Sequence, residues 1–233
     1  MANQYDIVYI LKSDAPVDER RYSLRAVEEN MPHRKVWFYC GKPDGLEPDE
    51  HVPMIQTGSS KWAKARSSLI AVCKNKDITK KFWLFNDDFY VLKPCKSTKP
   101  FHRGVIKDHV INIEKKRGGR SSNYSNQLRA CEDYLHRAGL TTLDYALHIP
   151  MLVDREKMLE ALECFPNCPM FRSLYGNYAN IGGTFHKDVK VSDPAREINP
   201  DLDFLSSNDK SFQGELGKFL AERFPAPSRF EVD

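Results

Sequence analysis

The stretch Lys81-Phe-Trp-Leu-Phe-Asn-Asp-Asp-Phe-Tyr-Val-Leu-Lys93 constrains this chain more than any other. Residues 82–85 are wholly apolar, and their number and aromatic content suit a buried strand better than a helix. The run stops at Asn86-Asp87-Asp88, and a second apolar run, residues 89–92, follows at once. Two adjacent carboxylates between apolar strands are costly to bury. They are tolerable at a strand's carboxyl end that opens into a crevice, or where they hold a cation. That edge is also where open α/β sheets bind ligands. A hard divalent cation bridging carboxylate and phosphate oxygens suits such a pair. The competing reading is a polar β-turn in a hairpin, because Asn and Asp favour turns.

The pattern before this stretch decides what surrounds it. Tyr5-Asp-Ile-Val-Tyr-Ile-Leu11 reads as a buried strand, followed by a polar turn at residues 12–16 that contains Asp14. A helix over residues 17–31 has Asp18 and Glu19 at its amino end and Tyr22, Leu24, Val27 and Met31 on its apolar side. Pro32 ends it. Strands follow at residues 35–40 and 52–55, then a helix from a Ser59 or Ser60 cap to Lys74, with Trp62, Ala65, Leu69 and Val72 inward. Strand–helix alternation of this kind implies an α/β fold with a mixed, mostly parallel sheet flanked by helices. It places Asn86-Asp87-Asp88 at the carboxyl end of a strand inside that sheet.

The second half is less regular. Residues 105–113 alternate as a strand would, and residues 114–122 form a basic, glycine-rich loop. Helices are expected over residues 126–138, residues 155–164 behind an Asp154 cap, residues 171–178, and residues 210–224 with Phe212, Leu216, Phe219 and Leu220 inward. Residues 145–152 are extended around Pro150, and residues 202–205 form a short strand. The whole chain of 233 residues reads as a single domain, without repeat or long linker.

Composition excludes several classes. A net charge of +3 is too small to mark a nucleic-acid binder by itself, though a mildly basic surface helps collect anions. No apolar stretch is long enough to span a membrane, and the first residues lack the pattern of a signal peptide. Of the six cysteines only Cys164 and Cys168 are close, with no matching second pair, which weakens a zinc site and favours reduced thiols in a cytoplasmic setting.

With these elements in place, the chain resembles the Stealth-type sugar-phosphate transferases, over roughly residues 5–173. Tyr5-Asp-Ile-Val-Tyr9 is similar to that family's opening strand, and Asp18-Glu-Arg-Arg-Tyr-Ser-Leu-Arg-Ala-Val-Glu-Glu-Asn-Met-Pro32 to its first helix. Lys35-Val-Trp-Phe38 resembles the strand after it, and Phe82-Trp-Leu-Phe-Asn-Asp-Asp-Phe-Tyr-Val-Leu-Lys-Pro94 the central acidic motif. His148-Ile-Pro150 resembles the His-x-Pro element, and Phe171-Arg-Ser173 the later arginine segment. Two departures matter. Lys12-Ser-Asp14 lacks the Trp-Val-Asn-Gly type of sequence expected after the first strand. The short chain and its Phe204-Leu-Ser-Ser-Asn-Asp-Lys-Ser-Phe212 segment look more like small virus- or prophage-encoded glycosyltransferase-like proteins.

The resemblance implies a GT-A-like (Rossmann-like) core using a UDP-, CDP- or GDP-sugar and a divalent cation, Mn²⁺ or Mg²⁺. Residues 1–104 form the nucleotide-sugar half; residues 105–233 form the acceptor side and the C-terminal helix. Asp88, and by an exchange of roles Asp87, holds the metal, because successive strand residues point to opposite faces. Asp87 otherwise serves as base or touches the ribose, and Asn86 bonds the turn. His148 becomes a metal ligand or acid/base group, where spacing alone gives a half-buried histidine. Arg172 becomes a phosphate clamp instead of a surface ion pair. Arg25 and Glu28 reach the donor pocket; as three-apart helix neighbours they are otherwise a plain surface pair. Asp14 touches base or ribose, and Lys61 and Arg66 meet the diphosphate or merely face solvent. Residues 115–120 are an acceptor flap for a glycan or modified nucleic acid, or a solvated loop. Glycosyl transfer is narrowly preferred to sugar-1-phosphate transfer. The rival class is a non-catalytic carbohydrate- or nucleic-acid-binding protein.

Overall fold

A computed structural model describes residues 4–12, 17–95 and 97–232. The first half alternates as expected: β1 (Tyr5–Leu11), α1 (Val17–Asn30), β2 (His33–Cys40), β3 (Glu50–Val52), α2 (Lys61–Lys74) and β4 (Lys81–Phe85). Then come β5 (Phe89–Val91), β6 (Phe101–His102), α3 (Ile106–Lys116), α4 (Asn123–Arg137), β7 (Met151–Asp154), α5 (Arg155–Cys164), α6 (Phe171–Tyr178), β8 (Thr184–Phe185), β9 (Phe204–Ser206), α7 (Asp209–Phe212) and α8 (Glu215–Arg223). The central sheet has the order β3-β2-β1-β4-β7. Its first four strands are parallel, and β7 runs antiparallel to β4. This is the mixed, mostly parallel sheet flanked by helices that the sequence implies.

Period-two burial on both faces holds the sheet between its helices. Ile7, Tyr9 and Leu11 of β1, Val36 and Phe38 of β2, and Trp83 and Phe85 of β4 pack with Leu24 and Val27 of α1. Val8, Trp37, Tyr39, Phe82 and Leu84 point the other way and pack with Leu69 and Val72 of α2. Each such side chain contributes roughly 1.5–3 kcal/mol by leaving water. A one-residue slip in β4 would exchange its two sets of partners, so its register is fixed. Because α1 and α2 cover opposite faces, the connections diverge between β1 and β4, and the crevice of such a sheet opens at their carboxyl ends. Lys12 and Asn86 stand there.

Four expectations need correction. Residues 106–116 are helix α3, not a strand: Ile106 and Val110 are buried and Ile113 packs beside them, while Ile111, which strict alternation would bury, is exposed. The hairpin reading of Asn86-Asp87-Asp88 also fails. β5 leaves the main sheet and pairs antiparallel with β9, although a weak turn bond from Phe89 N to Asn86 O remains, at 3.4 Å. The third strand ends at Val52, because Pro53 has no N–H to donate and Ile55 lies in solvent. The C-terminal helix is two helices. Gly214 separates them where a Cβ would lie 2.2 Å from Pro194 O.

Candidate functional site

At the carboxyl end of β4 lies an open cavity of about 610 Å³. Its walls include Lys61, Asn86, His148 and Arg172, four of the residues singled out in the sequence, together with Phe89. Each arrives on a different element. Lys61 begins α2 directly after the Ser60 cap, whose hydroxyl accepts from Ala63 N. Asn86 directly follows β4, His148 lies in the segment leading to β7, and Arg172 stands in the first turn of α6. A smaller recess of about 160 Å³ shares Lys61, Asn86 and Phe171 and runs past Lys12 and Lys64.

His148 is held on one side only. Its Nδ1 lies 2.9 Å from Asp188 Oδ2, and its backbone N–H donates to Asp188 Oδ1 at 3.0 Å. Arg103 makes an ion pair with Asp188 at 3.3 Å. Burial opposes ionisation of Asp188, but the bonds and charge of His148 and the charge of Arg103 overcome it and hold its carboxyl well below the usual range. The carboxylate therefore takes the Nδ1 proton side of the ring and leaves Nε2 for the cavity. The Phe89 ring meets the imidazole edge-on at 6.3 Å.

Arg172 works with His148 as one unit. Its Nη1 donates to Leu147 O at 3.1 Å and its Nη2 to Ile149 O at 2.5 Å, the carbonyls on either side of His148. The guanidinium lies 5.4 Å over the Phe89 ring, and its Nε is buried without a hydrogen-bond partner among the described residues. Burial pushes the group down to about 10, against the opposing charges of Asp88 and Asp188. Part of the fork expected to grip phosphate is thus spent on shaping the histidine loop.

Asp87 and Asp88 diverge, as neighbours at a strand end should. Asp87 turns to α1, where buried Arg20 pairs with its Oδ2 at 3.2 Å. Burial raises the Asp87 carboxyl; Arg20 opposes this and Asp88 adds to it. Asp88 turns toward β9: Lys190 Nζ and Ser206 Oγ reach its Oδ2 at 2.9 and 3.1 Å. Neither aspartate is among the residues lining the cavity. Glu19 completes the acidic group; burial raises its carboxyl, Ser207 opposes at 2.8 Å, and Asp87 and Asp88 add to the rise.

The fit to a divalent cation rests on one atom. Asp88 Oδ1 is buried and has no hydrogen-bond partner among the described residues. Among those residues no three His, Cys, Asp or Glu side chains are grouped to hold a metal. Mg²⁺ takes one or two carboxylates and completes its shell with substrate phosphate and water, and Asp88 Oδ1 is the oxygen that would serve it.

Other expected site residues lie elsewhere. Arg25 forms two bonds of 2.7 Å to Glu231, and Glu28 Oε2 accepts from Arg229 N at 3.0 Å. Both hold residues 224–231 against α1, and neither is among the residues lining the cavity. Arg66 donates to Leu162 O, ties α2 to α5 and is not among the residues lining the cavity or the smaller recess. Asp14 falls outside the described residues. In return the cavity gains Asp188, Arg103, His109 and Tyr124, which carry no local sequence signal.

No protein-family model matches the chain. No curated protein matches it. Among solved structures it is similar to an active-site mutant of LgtC, with a TM-score of 0.48 and 10% identity over 96% of this chain and 98% of that one. It is similar to galactosyltransferase LgtC in complex with donor and acceptor sugar analogs, with a TM-score of 0.47 and 10% identity over the same shares. It is also similar to the glycosyltransferase GlyE in Streptococcus pneumoniae TIGR4, with a TM-score of 0.36 and 9% identity over 95% of this chain and 50% of that one.

Proposed function

We propose that this protein is a nucleotide-sugar-dependent transferase with a GT-A-like core, glycosyl transfer being preferred. The observation that carries the reading is the convergence of Lys61, Asn86, His148 and Arg172 on one cavity at the carboxyl edge of the sheet. Residues 1–104 serve the donor, a UDP-, CDP- or GDP-sugar, and residues 105–233 the acceptor. Lys61, with Lys12 and Lys64 in the adjoining recess, supplies positive charge for the diphosphate. Mn²⁺ or Mg²⁺, held at Asp88 Oδ1 with Asp87 nearby, would neutralise the leaving diphosphate. His148 Nε2 accepts the proton of the attacking hydroxyl. A bond forms from the acceptor oxygen to the anomeric carbon, and the carbon–oxygen bond to the diphosphate breaks with its electron pair. His148 suits the base role better than Asp87, whose carboxylate is engaged by Arg20 and which is not among the residues lining the cavity. Among the described residues no helix is long and apolar enough to cross a membrane; a cytoplasmic setting belongs to this proposal.

A second reading, sugar-1-phosphate transfer, is favoured by the His148–Arg172 unit, since both residues come from the Stealth-like segments. The same assay separates the two. The protein is incubated with UDP-, CDP- and GDP-sugars and Mn²⁺, and the released nucleotide is identified. A nucleoside diphosphate supports glycosyl transfer and a monophosphate supports phosphotransfer. No turnover of any donor, with or without added glycan, would sink both and leave a non-catalytic binding protein.

A further inference from the structure

The cavity has two chemically different sides. Lys61 and Arg172 bring positive charge to one; Arg103, whose side chain hydrogen-bonds Tyr124 and pairs with Asp188, stands between the two. The other is built by α3 and the start of α4 from His109, Asn123, Tyr124 and Gln127, none of them acidic or strongly basic.

This second side is fixed from behind. Asp144 is fully buried, and its Oδ2 lies 2.5 Å from His109 Nδ1. Its Oδ1 accepts from Ala146 N at 2.8 Å and Ser173 Oγ at 3.1 Å. The carboxylate is saturated by protein, so it sets the ring of His109 and leaves Nε2 as the imidazole's remaining polar atom. Tyr124 meets that ring edge-on at 5.8 Å. The side-chain oxygen of Gln127 is buried in this wall and has no hydrogen-bond partner among the described residues. An acceptor without a partner in a cavity wall is costly unless a ligand supplies the donor.

We infer that the α3–α4 wall is a subsite for a neutral, hydroxyl-rich acceptor sugar, bound by His109, Tyr124 and Gln127; this rests on the transferase reading above. Sugar hydroxyls donate and accept, which matches an amide oxygen and an imidazole nitrogen. The C–H faces of a pyranose pack against an aromatic ring. A nucleic acid would require cations spaced along this wall. The exposed cations Lys115 and Lys116, in the last turn of α3, and Arg117 and Arg120, just beyond it, lie outside the cavity lining.

The test uses methyl α- and β-glycosides of glucose, galactose and mannose, a single-stranded oligonucleotide, and UDP, CDP and GDP as separate probes. Binding is followed by protein-observed NMR and calorimetry at millimolar ligand. At least one glycoside is expected to shift the His109 side-chain resonances. Gln127→Ala and His109→Gln are each expected to weaken it about tenfold, the loss of one good hydrogen bond, while nucleotide affinity changes less than about twofold. Gln127→Ala is the milder variant and keeps the test open should the other fail to fold. Absence of glycoside binding, or binding indifferent to both variants, overturns the subsite. So does oligonucleotide binding that is lost on neutralising Lys116 and Arg117. Variant-sensitive glycoside binding without nucleotide-sugar turnover would sink the transferase reading alone; turnover with variant-insensitive binding would sink the subsite alone.

Discussion

Replacing Asp188 by Asn tests the geometry of His148 most directly. Asp188 receives His148 Nδ1 at 2.9 Å, the His148 backbone N–H at 3.0 Å, its own neighbour Val189 N at 3.0 Å, and the Arg103 ion pair at 3.3 Å. Asn keeps an oxygen for the two backbone donors and loses the charge that holds the imidazole and Arg103. Two charge-assisted bonds of roughly 1.5–3 kcal/mol each are weakened but not both abolished, so a loss of about 2–4 kcal/mol is expected at pH 7. The sign with pH follows from the depressed carboxyl of Asp188. A depressed acid stabilises the fold fully above its unfolded pKa of about 3.9. Below that value the unfolded chain takes up the proton first, and the contribution falls. Urea unfolding of both proteins should therefore show the full gap at pH 7, narrowing below about pH 4. The same variant turns an N–H toward Nδ1, favouring the wrong tautomer, and is expected to lower kcat at least about 100-fold with KM for the donor little changed. A gap under about 0.5 kcal/mol at pH 7, or one independent of pH, would refute the reasoning.

Three further outcomes are expected. Phe230→Ala removes a ring that is 0% exposed between α1 and the sheet, and should cost about 3–5 kcal/mol in denaturant unfolding; a loss below about 1 kcal/mol would mean that the end of the chain is not docked there. Gly176→Ala places a Cβ 2.3 Å from the Tyr145 ring and should lower stability by about 1–3 kcal/mol through overpacking, read as a fall in Tm. Asp88→Ala should abolish the thermal shift given by Mn²⁺ plus nucleoside diphosphate, worth about 2.7 kcal/mol at a hundred times Kd in the native protein; an unchanged shift would place the cation elsewhere.

The fold was legible where one period was possible. In β1, β2 and β4 nearly every central position is apolar, and strands buried on both faces leave no other reading. Residues 105–113 fit two periods, since Ile106, Val110 and Ile113 share one helix face while Val105, Ile111 and Ile113 recur at strand spacing. Only the exposure of Ile111 decides, and exposure is set by α4 and the sheet beyond. The break at Gly214 was hidden for a related reason, because the atom that requires it is the carbonyl of Pro194. The partner of β5 lies more than a hundred residues away, where no turn signal points.

The site divides along the same line. Asn86, His148 and Arg172 stand in contiguous motifs, and the structure brings them to one cavity. Their supports do not stand in such motifs, since Asp188 comes to His148 across 40 positions and Asp144 to His109 across 35. Arg25 and Glu28 are the opposite case: spacing fixes their common helix side but not what it meets, here Glu231 and Arg229. The carboxylates sharpen the point. Asp6, at the amino end of β1, is fully buried, with Arg34 on both oxygens at 2.8 and 2.6 Å and Trp37 Nε1 and Thr79 N at 3.1 and 3.0 Å. Asp88, just past the carboxyl end of the adjacent strand, keeps one oxygen buried and unmet. In sequence both are aspartates beside apolar strands. A carboxylate whose oxygens are all satisfied by the protein has no capacity left for a ligand, whereas one that bears an orphaned oxygen is destabilising until something arrives to fill it. That difference in hydrogen-bond satisfaction separates the aspartate that holds the sheet together from the one proposed to work at its edge.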